Sequence, residues 1–200
     1  MPFVLSGLGN YKCNLIRLLK KELLSSQKRR KQMNKTDKKL ILFRGAPGCG
    51  KSTFIKNSGL EPYTLSTDLI RLEISEPKIL EDGTLGIPQN NKLVFSLLKC
   101  QLMRRLAAGE LTVIDLTNST AVEILQHKVF ADKYGYTTYL VDMINLPIEV
   151  CKQQNSTRLP EYKRVPEWVI DKMYDNFARE QVPEDVIVIK PEQLMEVIGD

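Results

Sequence analysis

The sequence predicts an α/β fold with a mainly parallel, five-stranded sheet and helices on both faces. From residue 40 onward, short apolar runs typical of buried strands alternate with segments of helical periodicity. Five such strand runs are present, and strands separated by helices are typical of parallel sheets. The stretch GAPGCGKST also joins the first strand run to the first helix, which is where a phosphate-binding loop is expected.

Each of the five strand runs is short, mostly apolar and bounded by turn-forming or polar residues. The runs are KLILFR (39–44), PYTLST (62–67), LTVIDLT (111–117), TTYLVDMI (137–144) and DVIVIK (185–190). Gly45 ends the first run, and the third ends in polar residues that include Asp115 and Thr117. Ligands of such folds bind at the carboxyl ends of the strands, so the residues that follow these runs are candidates for a site.

The segments between the strand runs have helical patterns. They are KSTFIKNS (51–58), DLIRLEI (68–74), NKLVFSLLKCQLMRRLAAGE (91–110), TAVEILQHKVFADKY (120–134), LPIEVCKQQNS (146–156), PEWVIDKMYDNFARE (166–180) and PEQLMEVI (191–198). The longest carries one stripe of leucines, and Gly109 is placed to end it. Two stretches lack a period: residues 76–90 predict a turn-rich surface loop, and residues 157–165 predict a basic irregular segment.

Length and charge indicate one domain with a basic extension. A chain of 200 residues with 42% hydrophobic content is long enough for one full core. Residues 1–39 carry eleven Lys or Arg against two acidic residues, a net charge of +9, whereas the whole chain is +5. We therefore predict a basic arm and linker over residues 1–38, followed by one folded domain over residues 39–200. The arm could bind nucleic-acid phosphates, or it could be a dispensable leader.

Composition argues against several classes of protein. No apolar run approaches the ~18 residues that span a bilayer, and the first residues lack the charged start of a secretion signal. The cysteines Cys13, Cys49, Cys100 and Cys151 form no C-x-x-C pair, which argues against a zinc site and fits a reducing compartment. We expect a structural role for His127, the only histidine. We therefore expect a cytoplasmic protein without a membrane segment.

The most specific motif is the phosphate-binding loop. Its residues are Gly45, Ala46, Pro47, Gly48, Cys49, Gly50, Lys51, Ser52 and Thr53, and they fit the pattern G-x-x-x-x-G-K-[ST]. Small residues let successive backbone N–H groups turn toward a phosphate. Lys51 is expected to reach the β- and γ-phosphate oxygens, and the Ser52 hydroxyl is expected to bind Mg²⁺. The motif therefore predicts binding of a nucleoside triphosphate.

The fate of the γ-phosphate depends on residues outside the loop. No N-K-x-D motif, by which guanine-specific switches read the base, follows any of the later strand runs, and the LSGGQ signature of transport ATPases is absent. Instead, Asp68 and Arg71 follow the second strand run at helical i, i+3 spacing, which places them on one face. Asp68 could orient an acceptor hydroxyl and take its proton, and Arg71 could bind an anionic part of the same acceptor. Alternatively, the pair forms a helix cap with a surface salt bridge.

Basic residues of the irregular segment 157–165 could form a lid. Arg158, Lys163 and Arg164 could fold over the nucleotide, bring positive charge to the transferring phosphoryl group and exclude water. Alternatively, the segment is a solvated loop whose charges serve solubility. Trp168 and Tyr162 lie nearby and could approach the adenine, but we expect Trp168 to be a packing residue of the helix that follows.

The ordered set of motifs resembles the polynucleotide 5′-kinases of phage and bacterial end-repair enzymes. The shared features lie between about residues 40 and 180, and they are GAPGCGKST, STDLIR, the strand ending VIDLTN, and RLPEYKRVPEWVI. The resemblance implies a P-loop kinase domain over residues 39–200. It also implies Mg²⁺- and ATP-dependent transfer of phosphate to the 5′-hydroxyl end of RNA or DNA, as in nucleic-acid repair.

The resemblance further implies roles for single residues. Lys51 and Ser52 would serve ATP and Mg²⁺, Asp68 would be the general base, Arg71 would contact the acceptor's own phosphate, Arg158 or Arg164 would contact the transferring phosphate, and Asp115, Thr117 and Asn118 would line the acceptor side. Many relatives carry a phosphatase or ligase module, for which 200 residues leave no room. We therefore expect a free-standing kinase, a partner of separate ligase or phosphatase enzymes, or a fragment of a larger protein.

Two other functions remain open at the level of the sequence. One is a small-molecule hydroxyl kinase of the same fold, acting for example on a nucleoside or a sugar. The other is a nucleotide-gated binding module whose output is movement of the basic arm. Loss of transfer after replacement of Asp68 would favour either kinase over the binding module.

Overall fold

The computed structural model describes residues 38–81 and 83–199, and the sheet in this part of the chain has the predicted architecture. Its strands, together with those of a small hairpin, are β1 (Lys39–Arg44), β2 (Thr64–Ser66), β3 (Lys78–Ile79), β4 (Leu85–Gly86), β5 (Thr112–Asp115), β6 (Thr137–Asp142) and β7 (Ile187–Ile189). The main sheet has the order β2-β5-β1-β6-β7, and all of its neighbouring strands are parallel. The predicted α/β fold with a five-stranded parallel sheet is confirmed.

Helices connect the parallel strands, because a parallel pair needs a crossover rather than a tight turn. The helices are α1 (Lys51–Asn57), α2 (Thr67–Ile74), α3 (Asn91–Ala107), α4 (Ala121–Lys133), α5 (Ile148–Ser156), α6 (Glu167–Arg179) and α7 (Leu194–Gly199), with short 3₁₀ turns at Glu61–Tyr63, Glu161–Lys163 and Pro191–Gln193. Each helical segment of the sequence corresponds to one of these helices, and the ends agree to within three residues. Pro62 lies in the first 3₁₀ turn, so the strand predicted from residue 62 begins at Thr64.

Helices pack against both faces of the central strand β1. Its side chains alternate between the faces, and all six of its residues are buried. Leu40 and Leu42 belong to an apolar cluster with residues of α2, α3 and α4. Ile41 and Phe43 belong to a second cluster with residues of α1 and α7. This packing fixes the carboxyl end of β1, from which the phosphate-binding loop begins.

The stretch expected to be a turn-rich loop, residues 76–90, contains a hairpin instead. Strands β3 and β4 pair antiparallel, with Ile79 opposite Leu85. The Leu80 side chain covers Gly86, where an added Cβ would lie 2.5 Å from Leu80 Cδ1. Each strand has only two residues, too few for a period of two to be visible in the sequence. The hairpin matters because it forms one wall of the cavity described below.

Two expectations concern residues or properties beyond this domain. The predicted basic arm, residues 1–38, lies outside the described residues except for Lys38, so it stays a prediction. Within residues 38–81 and 83–199, no helix is long and apolar enough to cross a membrane.

Candidate active site

The phosphate-binding loop turns from β1 into α1 at Gly50, which has the left-handed φ of 92° that suits glycine. Helix α1 then begins at Lys51, and the backbone N–H groups of a first helical turn have no partner within the helix. The Lys51 ammonium donates to the carbonyl oxygens of Gly45 at 2.7 Å and Ala46 at 3.0 Å, which holds it inside the curve of the loop. An ammonium and free N–H groups at a helix N-terminus fit a phosphate group.

The loop rests directly on α5. At Gly48 (φ 86°), an added Cβ would lie closer than 3.0 Å to the Cys151 carbonyl oxygen and 3.2 Å from the backbone nitrogen of Asn155. Only glycine fits this contact without movement of the loop or the helix. The side chain of Cys49 is buried in the same region, where Cys151 and Ile170 pack around it. The sequence motif therefore encodes a contact with α5 as well as a phosphate cradle.

Ser52 and Asp115 form the second polar feature of the site. The Ser52 hydroxyl donates to Asp115 Oδ2 at 2.7 Å. Burial raises the pKa of the Asp115 carboxyl, although the Lys51 ammonium and the Ser52 hydroxyl oppose this shift. In the described part of the chain, no group of three His, Cys, Asp or Glu residues could hold a metal ion. The hydroxyl of Ser52 and the carboxylate of Asp115 are oxygen ligands, and they fit Mg²⁺. In nucleotide sites this ion binds one or two protein ligands together with the substrate phosphates.

Asp68 lies between two arginines. Its Oδ1 is 3.1 Å from Arg71 NH1, and its Oδ2 is 3.9 Å from Arg158 NH2. The N-cap of α2 is Ser66, whose hydroxyl oxygen accepts from the Asp68 backbone N–H. The Asp68 side chain is therefore not the cap of α2, and its carboxylate is 44% exposed toward the cavity. The i, i+3 salt bridge with Arg71 is present, as the sequence spacing allows.

Arg71 is held on several sides. NH1 also donates to Thr67 Oγ1 at 3.3 Å, and NH2 donates to Asn91 Oδ1 at 3.1 Å. The side chain is only 15% exposed, and its Nε is buried with no hydrogen-bond partner in the described part of the chain. The guanidinium is therefore fixed in orientation at the side of Asp68.

The basic segment after α5 folds back on itself and reaches Asp68 through Arg158. Arg158 NH1 donates to the Lys163 carbonyl oxygen at 2.9 Å, and Arg164 Nε donates to the Arg158 carbonyl oxygen at 2.9 Å. Asn155 exchanges two hydrogen bonds with the backbone of Val165, which closes the base of this segment. The segment thus has a defined conformation in which Arg158, rather than Arg164, approaches the carboxylate.

One cavity of about 1230 Å³ brings most of the predicted site residues together. Those that line it are Pro47, Gly48, Gly50, Lys51, Ser52, Thr53, Asp68, Arg71, Asp115, Thr117, Arg158 and Arg164. Gly45, Cys49 and Asn118 do not line it. The phosphate-binding loop, the carboxylate Asp68 and the basic segment therefore share one space.

Asn118 differs most from its expected place at the acceptor side. Its side chain is 1% exposed, and its Nδ2 donates to the Phe43 carbonyl oxygen at 2.7 Å. Its backbone has a positive φ of 44°, which asparagine tolerates better than most residues. The preceding residue, Thr117, accepts at its carbonyl from the Gly45 N–H at 3.0 Å. Asn118 therefore ties the end of β5 to the end of β1 rather than facing a ligand.

The expectation that Trp168 packs within its helix is wrong. Trp168 is 64% exposed and lines the cavity. The buried face of α6 is formed by Ile170, Tyr174 and Phe177, and a residue two positions before Ile170 points to the opposite side of a helix. This periodicity was available in the sequence. No comparable signal marked Asn91 or Phe95, because their positions depend on how α3 packs against α2.

Comparison with protein families decides which family the chain represents. A family model described as an AAA domain matches residues 40–180, well over half of the chain. The chain belongs to this family. The family is one of P-loop kinases, whose fold binds nucleotides and indicates a phosphotransferase. A comparison with curated proteins found no match.

Several solved structures share this fold. A chain of the Pnkp1/Rnl/Hen1 RNA repair complex is 22% identical with a TM-score of 0.57, and the match covers 70% of this AAA domain protein and 44% of that chain. A chain of the AvrRxo1-ORF1:AvrRxo1-ORF2 complex is 17% identical with a TM-score of 0.55, covering 73% and 49%. Kti12 of Chaetomium thermophilum, in complex with ADP-AlF3, is 15% identical with a TM-score of 0.58, covering 80% and 97%. The protein thus spans less than half the length of the first two, and at these identities the likeness concerns the fold.

Proposed function

We propose that this AAA domain protein is an ATP-dependent polynucleotide 5′-hydroxyl kinase. The observation that carries the proposal is the position of Asp68. Its carboxylate is exposed in the same cavity as Lys51 and Ser52, with a guanidinium beside each oxygen. A carboxylate within reach of a bound triphosphate is what transfer to an alcohol requires.

In the proposed reaction, the 5′-hydroxyl oxygen attacks the γ-phosphorus of ATP. The bond from this phosphorus to the bridging oxygen breaks, ADP leaves, and Asp68 takes the proton of the hydroxyl. Lys51 binds the phosphate oxygens, and Arg158 supplies positive charge from the basic segment. Mg²⁺, held through Ser52, would neutralise part of the negative charge on the phosphates.

Arg71 supports a nucleic-acid acceptor. It is fixed beside Asp68, and it lines the same cavity. A fixed guanidinium matches the geometry of a phosphate group. In a polynucleotide with a 5′-hydroxyl, the first internucleotide phosphate lies within one nucleotide of that hydroxyl. The carboxylate of Asp68 and the neighbouring guanidinium of Arg71 therefore suit the 5′-hydroxyl and the phosphate of one terminal nucleotide.

We further propose that the substrate is supplied by nucleic-acid cleavage and that the 5′-phosphate product is used by separate ligase enzymes. A kinase that forms 5′-phosphate ends prepares the group that end joining consumes. The fold is shared with a chain of an RNA repair complex, which supports a role in RNA or DNA repair. The basic arm, with its net charge of +9 over residues 1–39, would add phosphate affinity that does not depend on sequence.

The test is transfer of labelled γ-phosphate from ATP and Mg²⁺ to matched 5′-hydroxyl RNA and DNA oligonucleotides. Asp68→Ala should lower transfer by roughly 10²- to 10⁴-fold, the usual contribution of a general base, and should retain ATP binding. Asp175→Ala is the matched control, because Asp175 also pairs with an arginine on a helix but lies outside the cavity. Transfer unaffected by Asp68→Ala would refute the assigned base.

The acceptor class is tested in the same assay. Labelled oligonucleotide from the wild-type protein would support the proposal and would reveal any preference for RNA or DNA. ATP binding without labelling of either oligonucleotide would contradict it, and transfer to free nucleosides or sugars alone would indicate a small-molecule kinase. Lys51→Ala should abolish labelling of every acceptor, since the phosphate-binding loop serves all of these reactions.

A further inference from the structure

We propose that Phe95 and Leu85 form a platform on which the base of the acceptor's 5′-terminal nucleotide stacks. This inference rests on the proposed kinase function and specifies how the acceptor would be recognised. Both residues line the cavity that contains Asp68. Neither belongs to the phosphate-binding loop or to the basic segment.

Phe95 is placed beside the acceptor side of the cavity by a short chain of contacts. Arg71 pairs with Asp68 through NH1 and donates to Asn91 Oδ1 through NH2. Phe95 follows Asn91 by four residues in α3, so the two side chains leave the helix on the same face, with Cβ atoms about 5–6 Å apart. The ring is therefore one helical turn from the residue that holds Arg71.

The hairpin contributes further apolar side chains to the lining of the same cavity. Phe95 is 42% exposed and Leu85, in β4, is 40% exposed, although both are large apolar side chains. Ile87 and Leu80 also line the cavity, and the Leu80 side chain lies over Gly86. An aromatic ring and aliphatic groups facing a cavity offer a surface for a flat apolar ligand face.

The combination of these apolar side chains with Arg71 favours a nucleotide over a sugar. A sugar acceptor carries hydroxyl groups around its ring, and any that faced these apolar side chains would lack hydrogen bonds. A nucleotide presents an aromatic base on one side and a phosphate on the other. Stacking of bases on aromatic side chains is tolerant of sequence, because every base has an aromatic face. The platform would therefore recognise the presence of a terminal base and not its identity.

The experiment compares two acceptors in three variants. The acceptors are a 5′-hydroxyl oligonucleotide and the same oligonucleotide with an abasic first residue. The variants are Phe95→Ala, Phe95→Trp and, as a matched control, Leu93→Ala. Leu93 is on the same helix and is 43% exposed, close to the value for Phe95, but it does not line the cavity. The measured quantities are kcat/KM for each acceptor and KM for ATP.

We expect the wild-type protein to prefer the normal acceptor by about tenfold or more, as base–aromatic stacking predicts. Phe95→Ala should lower kcat/KM for the normal acceptor to near the value for the abasic acceptor. It should leave kcat/KM for the abasic acceptor and KM for ATP unchanged. Phe95→Trp should retain the preference because it keeps an aromatic face, and Leu93→Ala should behave as wild type.

Other results overturn the platform in distinguishable ways. If the wild-type protein phosphorylates both oligonucleotides equally, the kinase function stands and the platform is wrong. The same conclusion holds if Phe95→Ala lowers kcat/KM for both acceptors by the same factor, or if Phe95→Ala behaves as Leu93→Ala does. If the wild-type protein phosphorylates neither oligonucleotide, the proposed function fails and the platform fails with it.

Discussion

Replacement of Gly48 by alanine should destabilise the protein more than replacement of Gly50 or Gly109, which also have positive φ. Gly48, Gly50 and Gly109 have φ values of 86°, 92° and 72°. A Cβ at Gly50 or Gly109 would meet nothing within 4 Å, whereas one at Gly48 would lie closer than 3.0 Å to the Cys151 carbonyl oxygen. All three variants incur the left-handed strain, about 1–2 kcal/mol for a non-glycine residue. Only Gly48→Ala adds a steric conflict with α5.

The extra cost at Gly48 can be bounded from similar conflicts elsewhere. Overpacking of a well-packed interior typically costs about 1–3 kcal/mol. The free energy of unfolding should therefore fall by about 2–5 kcal/mol for Gly48→Ala and by about 1–2 kcal/mol for Gly50→Ala and Gly109→Ala. Urea denaturation without nucleotide measures these values and avoids the separate effect of the loop variants on phosphate binding. Equal losses in Gly48→Ala and Gly109→Ala would refute the inference that the loop is pressed against α5.

Two further predictions concern the basic arm and the single histidine. Deletion of residues 1–32 should make oligonucleotide affinity less dependent on salt and spare turnover on short acceptors, because eight Lys or Arg residues are removed; an unchanged salt dependence would exclude the arm from binding. Burial lowers the pKa of His127 from 6.5 to about 4, so the unfolded state binds a proton at a higher pH than the folded state, and stability should fall as pH decreases from 6.5 toward 4. The loss of stability attributable to His127 at pH 5 is about 2 kcal/mol. Between pH 7.5 and pH 5, the free energy of unfolding measured by denaturation should therefore decrease less in His127→Gln than in the wild type. Equal decreases would contradict this assignment.

The fold could be predicted from the sequence because its signals are local. Each of the five strands has an apolar run of its own, and the loop from Gly45 to Thr53 combines a motif with a strand before it and a helix after it. The i, i+3 spacing of Asp68 and Arg71 also allows the salt bridge that they form. These features depend on residues that are close in the chain, so periodicity and motif spacing describe them.

The rest of the site depends on contacts between distant residues. Asn118 follows β5 in a motif that is associated with an acceptor. Its side-chain amide instead donates a hydrogen bond to the Phe43 carbonyl oxygen in the neighbouring strand β1. Phe95 lies one helical turn from Asn91, and the contact of Asn91 with Arg71 results from the packing of α3 on α2. The hairpin strands are too short to leave a pattern in the sequence. Trp168 is the exception, since the helical period of α6 already placed it opposite Ile170.

The basic segment links the donor and acceptor halves of the cavity. At its base, Asn155 holds Val165 and lies next to Gly48 of the phosphate-binding loop. In its middle, Arg158 approaches Asp68, and the 3₁₀ turn Glu161–Lys163 packs against β4 of the hairpin. A change in the hairpin can therefore alter the position of Arg158 as well as the apolar lining of the cavity. An altered segment would lower transfer to every acceptor, whereas a lost base contact would lower transfer only to acceptors that carry the base, so the abasic comparison separates the two causes.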